Sequence, residues 1–220
     1  MPSSRDLNVH VHIPSGSSWV AKFGMSLANM MAYYSQNRVG DDVNMQRLSI
    51  RNVQSSMLCQ SRETLFRAAL KSPATHILFL DSDMEFPAYS LNYLLGLKSP
   101  FVAANYTIKQ YPNRPTARDS EGMLMLSNKS TVAVEHGMHV GLGLALLELD
   151  PVREAGLKSP FFPFEWSEEA QAYAGEDVAF CRKLGDAGIP LMISNELSME
   201  ITHWGMHGFK MDTASMEGAE

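Results

Sequence analysis

Apolar residues recur along this chain in two rhythms, and the switch between them marks out the elements. Residues 9–13 alternate Val, His, Val, His, Ile and stop at Pro14-Ser15-Gly16-Ser17-Ser18, which reads as a strand ending in a small-residue loop. Residues 19–36 then place Val20, Phe23, Leu27, Met30, Met31 and Tyr34 at helical spacing. A strand is expected over 45–50, a helix over 61–70 with Leu65, Phe66, Ala69 and Leu70 packing inward, and a strand over 77–80. Strand, helix, strand, helix, strand predicts an α/β fold with a largely parallel sheet and crossover helices. A helix over 86–97 and a buried strand over 101–104 extend the series.

The second half is less regular. Residues 111–130 carry Pro112, Pro115 and Gly122 among polar residues and read as a loop with a small hairpin. Strands are expected over 131–134 and 140–149, joined through His136-Gly137-Met138-His139. Residues 158–171 are aromatic and acidic, with Phe161, Phe162, Phe164, Trp166, Glu168 and Glu169, too apolar for a linker and too irregular for one helix. A helix over 177–188 buries Val178, Phe180, Cys181 and Leu184 and ends at Gly188. A strand over 189–193 follows, and residues 200–203 close the ordered part. The expectation is one domain over 1–210 and a flexible tail over 211–220.

Composition narrows the class. The 220 residues suffice for one sizeable core, and the 45% hydrophobic and 19% charged fractions are those of a water-soluble globular chain. A net charge of −6 gives no general basic footprint for nucleic acid or anionic membrane. No apolar run approaches the ~20 residues of a membrane span, and the polar start lacks a signal-peptide core. Cys59 and Cys181 have no zinc-like spacing and suit a reducing, cytoplasmic compartment. Fifteen methionines is a high count, and Met30, Met31, Met123, Met125 and Met192 read as core filler.

Chemistry concentrates where the 77–80 strand runs into Asp81-Ser82-Asp83. Ligands of open α/β sheets bind outside the carboxyl ends of the strands. Two carboxylates one residue apart suit a shared hard cation, magnesium or manganese, which in turn holds a diphosphate. A lone Asp-x-Asp reads equally as a strand end with Asp83 capping the next turn. Two later features join it: Gly175-Glu176-Asp177 at a helix start, and His203 in Thr202-His203-Trp204-Gly205.

With these three features in order, the chain resembles glycosyltransferases of the GT-A fold over roughly residues 9–205. The run Gly-Glu-Asp-Val-Ala-Phe-Cys-Arg-Lys-Leu-Gly-Asp-Ala-Gly-Ile from Gly175 is similar to the glutamate-aspartate helix of that family, especially its small bacterial and bacteriophage members. The resemblance implies a Rossmann-like, mostly parallel sheet flanked by helices. It implies transfer of one sugar from a nucleotide-diphospho-sugar, UDP-linked by expectation, with Mn2+ or Mg2+ held by Asp83, His203 and Asp81. Asp177 would be the general base of an inverting reaction, and Glu176 would bind acceptor or orient the loop. A retaining reaction needs no such base; inversion is favoured because no other carboxylate is placed for retention. At helix starts, carboxylates are also stabilised by the helix dipole alone.

The donor would lie against Pro14, Ser15, Asp81 and Ser82, with Arg62 and Lys109 as further contacts. Arg62 reads equally as a surface arginine over apolar residues. Lys109 offers phosphate a point charge, and Lys210 does so from the tail. Gly141-Leu142-Gly143 lacks a dinucleotide fingerprint, so its glycines are read as letting substrate approach the sheet. Phe164, Trp166 and Trp204 are sugar-stacking candidates, with core packing as the alternative for at least one. The acceptor stays open among a glycan, a protein, a small molecule and a modified nucleic-acid base. Two other functions compete: a nucleotidyltransferase, disfavoured because no basic residue follows the first strand until Lys22, and a non-catalytic nucleotide-sugar-binding protein.

Overall fold

The structure is a computed structural model that describes residues 5–41, 43–128, 134–168, 171–205 and 207–213. In chain order the first half contains β1 (Arg5–Ser15), α1 (Ala21–Gln36), β2 (Val43–Gln54), α2 (Leu58–Leu70), β3 (His76–Leu80), β4 (Met84–Glu85), α3 (Ser90–Gly96) and β5 (Phe101–Ala103). The second half contains β6 (Val134–Gly137), β7 (Leu144–Glu148), α4 (Leu149–Glu154), β8 (Glu165–Ser167), β9 (Ala172–Ala174), α5 (Glu176–Asp186), β10 (Leu191–Ser194), α6 (Asn195–Ser198), β11 (Thr202–Trp204) and β12 (Gly208–Phe209).

Seven strands form one sheet in the order β2-β1-β3-β7-β5-β10-β6. β1 runs parallel to β2 and β3, and β5 parallel to β10; β7 is antiparallel to both of its neighbours, and β6 to β10. Five strands therefore share a direction, which sends the ends of β1, β2 and β3 to the same edge. The fully buried run of β3 alternates between two cores. Leu78 and Leu80 pack with Phe23, Leu27 and Met30 of α1 and Leu91 and Leu94 of α3. Ile77 and Phe79 pack on the other face with Phe66 of α2 and Phe180 and Leu184 of α5. This double burial is why β3 is continuously apolar. Phe66 and Phe180 stack edge-to-face at 5.2 Å, and Phe162 lies flat on Phe180 at 4.4 Å, which anchors the irregular 158–164 segment to α2 and α5.

Several expectations shift. The 45–50 strand is longer, Val43–Gln54, because it pairs with β1 along its length. The helix expected over 86–97 begins at Ser90, after Pro87 and a turn. Strand β7 starts at Leu144, so Gly141 and Gly143 lie in the approach to it. His136 and Gly137 belong to β6 and pair with β10 instead of linking two strands. Residues 131–133 of the expected strand, Glu169, and 214–220 of the expected tail lie outside the described residues; Met211–Thr213 form a short 3-10 turn with Met211 buried. Met30 and Met125 are core residues, whereas Met31 and Met123 are exposed. Among the described residues no helix is long and apolar enough to cross a membrane.

Candidate active site

Three backbone ties hold the Asp81–Asp83 loop in place. Asp81 N donates to Gly143 O at 3.1 Å, Val20 N to Ser82 O at 3.0 Å, and Trp204 N to Asp83 O at 2.8 Å. The last two join the loop to the start of α1 and to β11. A second framework ties the ends of β1 and β2, where Asn52 Nδ2 donates to Ser15 Oγ at 2.9 Å and Ser55 N to Ser15 O at 3.1 Å. Between the two frameworks lies a cleft of about 330 Å³ lined by Pro14, Ser15, Gly16, Asp81, Ser82 and Asp83. Of the residues expected to meet the donor, Pro14, Ser15, Asp81 and Ser82 share this cleft, together with the expected metal ligand Asp83, whereas Arg62 and Lys109 are not part of its lining.

Asp83 sits among two nitrogen groups. Lys109 Nζ bonds one carboxylate oxygen, and His203 Nε2 stands 3.5 Å from the other. That second oxygen, Oδ1, is buried with no hydrogen-bond partner among the described residues. His203 Nδ1 lies 2.8 Å from Thr107 O, and a carbonyl only accepts, so Nδ1 carries a proton and Nε2 is the nitrogen that faces Asp83. Burial pushes the Asp83 carboxyl up, but His203 and Lys109 pull it further down, leaving it below its ordinary value. A carboxylate oxygen and an imidazole nitrogen 3.5 Å apart are both of the kinds that ligate a divalent cation placed between them. Among the described residues no cluster of three His, Cys, Asp or Glu side chains surrounds such a position, so diphosphate oxygens and water would have to complete the coordination.

Asp81 takes a different partner. Its Oδ1 accepts from Arg62 Nη2 at 2.7 Å, while Arg62 Nη1 bonds Glu176. Arg62 is only 3% exposed, which rules out the surface reading. Burial works against its charge, and Asp81 and Glu176 more than compensate, so it stays a guanidinium. Glu176 is 7% exposed. Its pKa is raised, because burial outweighs the pull of Arg62. Asp177 is raised for the same reason, with burial first and the attraction of Arg62 opposing it. Gly175 precedes α5, and a Cβ there would meet Asp177 Oδ1 at 2.7 Å. The glycine is thus what lets the Asp177 carboxylate fold back to accept from Val178 N at 2.8 Å.

Asp177 lines a second cleft of about 470 Å³. The buried Asp81–Arg62–Glu176 bridge therefore connects the wall of one cleft to the helix start that lines the next. Sequence reading did not find Tyr106, whose ring lies edge-on to His203 at 5.0 Å and whose hydroxyl accepts from Gly143 N at 3.2 Å. A Cβ on Gly141 or Gly143 would lie 2.3 Å or 3.0 Å from that hydroxyl, so the space at these glycines holds Tyr106, where substrate was expected. The apolar run ending in Asn-Tyr-Thr gave no signal beyond a strand end. Of the stacking candidates, Phe164 and Trp166 are exposed, whereas Trp204 is half-buried and donates from Nε1 to Glu85 at 2.8 Å. Lys210 lies away from the cleft lining and its carbonyl accepts from Asn113.

No protein-family model matches the chain, and no curated protein matches it. Among solved structures it is similar to the crystal structure of A197 from STIV, with a TM-score of 0.56 at 16% identity, over 90% of this chain and 86% of that one. At this identity the likeness speaks for the fold alone: a central, mostly parallel sheet flanked by helices.

Proposed function

We propose that this protein is a glycosyltransferase that moves one sugar from a nucleotide-diphospho-sugar to an acceptor hydroxyl. The observation that carries this reading is the buried Asp81–Arg62–Glu176 bridge, which joins one cleft, lined by Asp81, Ser82 and Asp83, to the helix start where Asp177 lines another. A donor and an acceptor need such adjoining sites for in-line transfer.

In this reading the nucleotide end of the donor lies over Pro14 and Ser15, and its diphosphate over Ser82 and Asp83. Asp83 and His203 would hold Mn2+ or Mg2+, with Asp81 beside them. The metal supplies positive charge to the departing diphosphate. Lys109, already at Asp83, supplies more. The acceptor oxygen attacks the anomeric carbon as the bond to the diphosphate breaks and its electron pair leaves with the phosphate. Asp177 takes the hydroxyl proton, and its raised pKa makes it a stronger base than an exposed aspartate. Inversion follows from attack opposite the leaving group. Glu176 positions Arg62 and does not touch substrate.

The test is thermal stabilisation by a panel of nucleotide-sugars, with and without Mn2+, on wild type and Asp83→Asn. Metal-dependent stabilisation by one donor, lost in Asp83→Asn, is expected. Equal donor binding by both proteins would refute the assignment of Asp83.

A further inference from the structure

The second cleft has a charge pattern of its own. Besides Asp177 it is lined by Arg114, Arg118 and His139. Both arginines come from the 111–130 loop, which is held against the sheet side by Ile108 N to Arg114 O at 2.9 Å and Arg118 N to His139 O at 2.9 Å. Their backbones are thus fixed, and the guanidiniums project from a supported base.

Neither arginine has a carboxylate partner among the described residues. Arg118 Nη1 donates to Gly122 O at 2.7 Å, and Arg114 Nε is buried with no hydrogen-bond partner among the described residues. His139 adds no charge at neutral pH, since burial, helped by Arg118, lowers it to about 4. Two guanidiniums against one carboxylate leave the cleft positive, although the whole chain carries −6. A buried guanidinium N–H without an acceptor is costly, and a ligand oxyanion removes that cost with charge-assisted, often bidentate bonds. Lysine would give charge alone; arginine adds the planar fork that matches phosphate and carboxylate.

We propose that this cleft selects an acceptor that carries an anionic group, a phosphate or a carboxylate, beside the hydroxyl that is glycosylated. Arg114 and Arg118 grip the anion, and the hydroxyl lies towards Asp177 in the same cleft. The inference rests on the glycosyltransferase reading for the role of the ligand, but not for its binding. A cleft of about 470 Å³ suits a sugar-sized molecule.

The experiment is calorimetric titration of glucose, glucose 6-phosphate and glucuronate into wild type, Arg114→Gln, Arg114→Gln/Arg118→Gln and Lys109→Gln. The expected result is binding of one or both anionic probes at least tenfold tighter than glucose. That binding falls at least tenfold in the double variant and severalfold in Arg114→Gln, and is retained in Lys109→Gln. Glucose 6-phosphate against glucuronate distinguishes phosphate from carboxylate recognition. Arg114→Gln guards against misfolding, because Arg118 also supports the 118–122 turn and Arg114 has no side-chain hydrogen bond to lose. Equal affinity for glucose and both anions, unchanged affinity in the arginine variants, loss in Lys109→Gln alone, or no anion binding at millimolar concentration would each overturn the proposal. Anion binding at the arginines without any nucleotide-sugar binding would leave this inference standing and remove the transferase reading; donor binding with neutral acceptors alone would do the reverse.

Discussion

Replacing Arg62 by methionine removes the one cation that ties the Asp81 loop to the start of α5. Methionine keeps much of the aliphatic volume, so packing changes little and the electrostatic loss dominates. Arg62 makes two charge-assisted bonds, to Asp81 Oδ1 at 2.7 Å and to Glu176 Oε1, in a site where it is 3% exposed. Leaving buried carboxylates without their partner costs about 3–5 kcal/mol. Relief of the unpartnered Arg62 Nε returns roughly 1 kcal/mol. The net expectation is about 2–4 kcal/mol, equivalent to a fall in Tm of roughly 4–16 °C for a chain of this size. The pH dependence gives the more specific signature. Glu176 and Asp177 already have raised folded-state pKa values, and losing Arg62 raises them further. A carboxyl whose folded pKa exceeds its unfolded value lowers stability as pH rises from its unfolded pKa through its folded one. The deficit of Arg62→Met should therefore be largest at neutral pH and shrink as the pH falls towards 4. Urea unfolding between pH 4.5 and 8 measures it. A deficit below about 1 kcal/mol at pH 7, or one of equal size across the range, would refute the buried-charge account. Adding Glu176→Gln to Arg62→Met should recover part of the loss, since one of the stranded carboxylates is then neutral.

Asp177→Asn should keep donor binding and lose transfer by at least about a hundredfold, checked by nucleoside diphosphate release with an acceptor present. In wild type the same rate should fall as pH drops through the raised Asp177 pKa, because the protonated acid accepts no proton, and this limb should be absent from the residual activity of Asp177→Asn. His12 is fully buried beside Phe79 with neither ring nitrogen partnered among the described residues, and burial lowers its pKa to about 3. The unfolded chain binds that proton near pH 6.5, so stability should fall between pH 6.5 and 3 by up to about 1.4 kcal/mol per pH unit, a slope that urea titration should find reduced in His12→Leu. Gly141→Ala should cost about 1–3 kcal/mol by crowding the Tyr106 hydroxyl, and Tyr106→Phe in the same chain should return part of it, read as Tm.

The sequence by itself determined what depends on near neighbours along the chain. Helical spacing located α1, α2 and α5 within a few residues, and the four-residue apolar run of β3 announced a strand buried on both faces. The Asp81-Ser82-Asp83 turn stood out because it interrupts that run, and Gly175-Glu176-Asp177 because glycine and acids together begin a helix. Which groups face one another was decided only by the tertiary structure. Strand β7 is apolar whichever way it runs, so nothing in its residues tells that it lies antiparallel between β3 and β5. Arg62 and Glu176 are 114 positions apart, and their pairing exists because α2 and α5 cover the same face of the sheet. The separation of Asp81 from Asp83, one bound to Arg62 and the other beside Lys109 and His203, likewise depends on side chains delivered from distant elements. Short-range pattern fixes where an element begins and which face is apolar; burial, pairing and charge arise from contacts across the fold, and a site built from such contacts takes its chemistry from them.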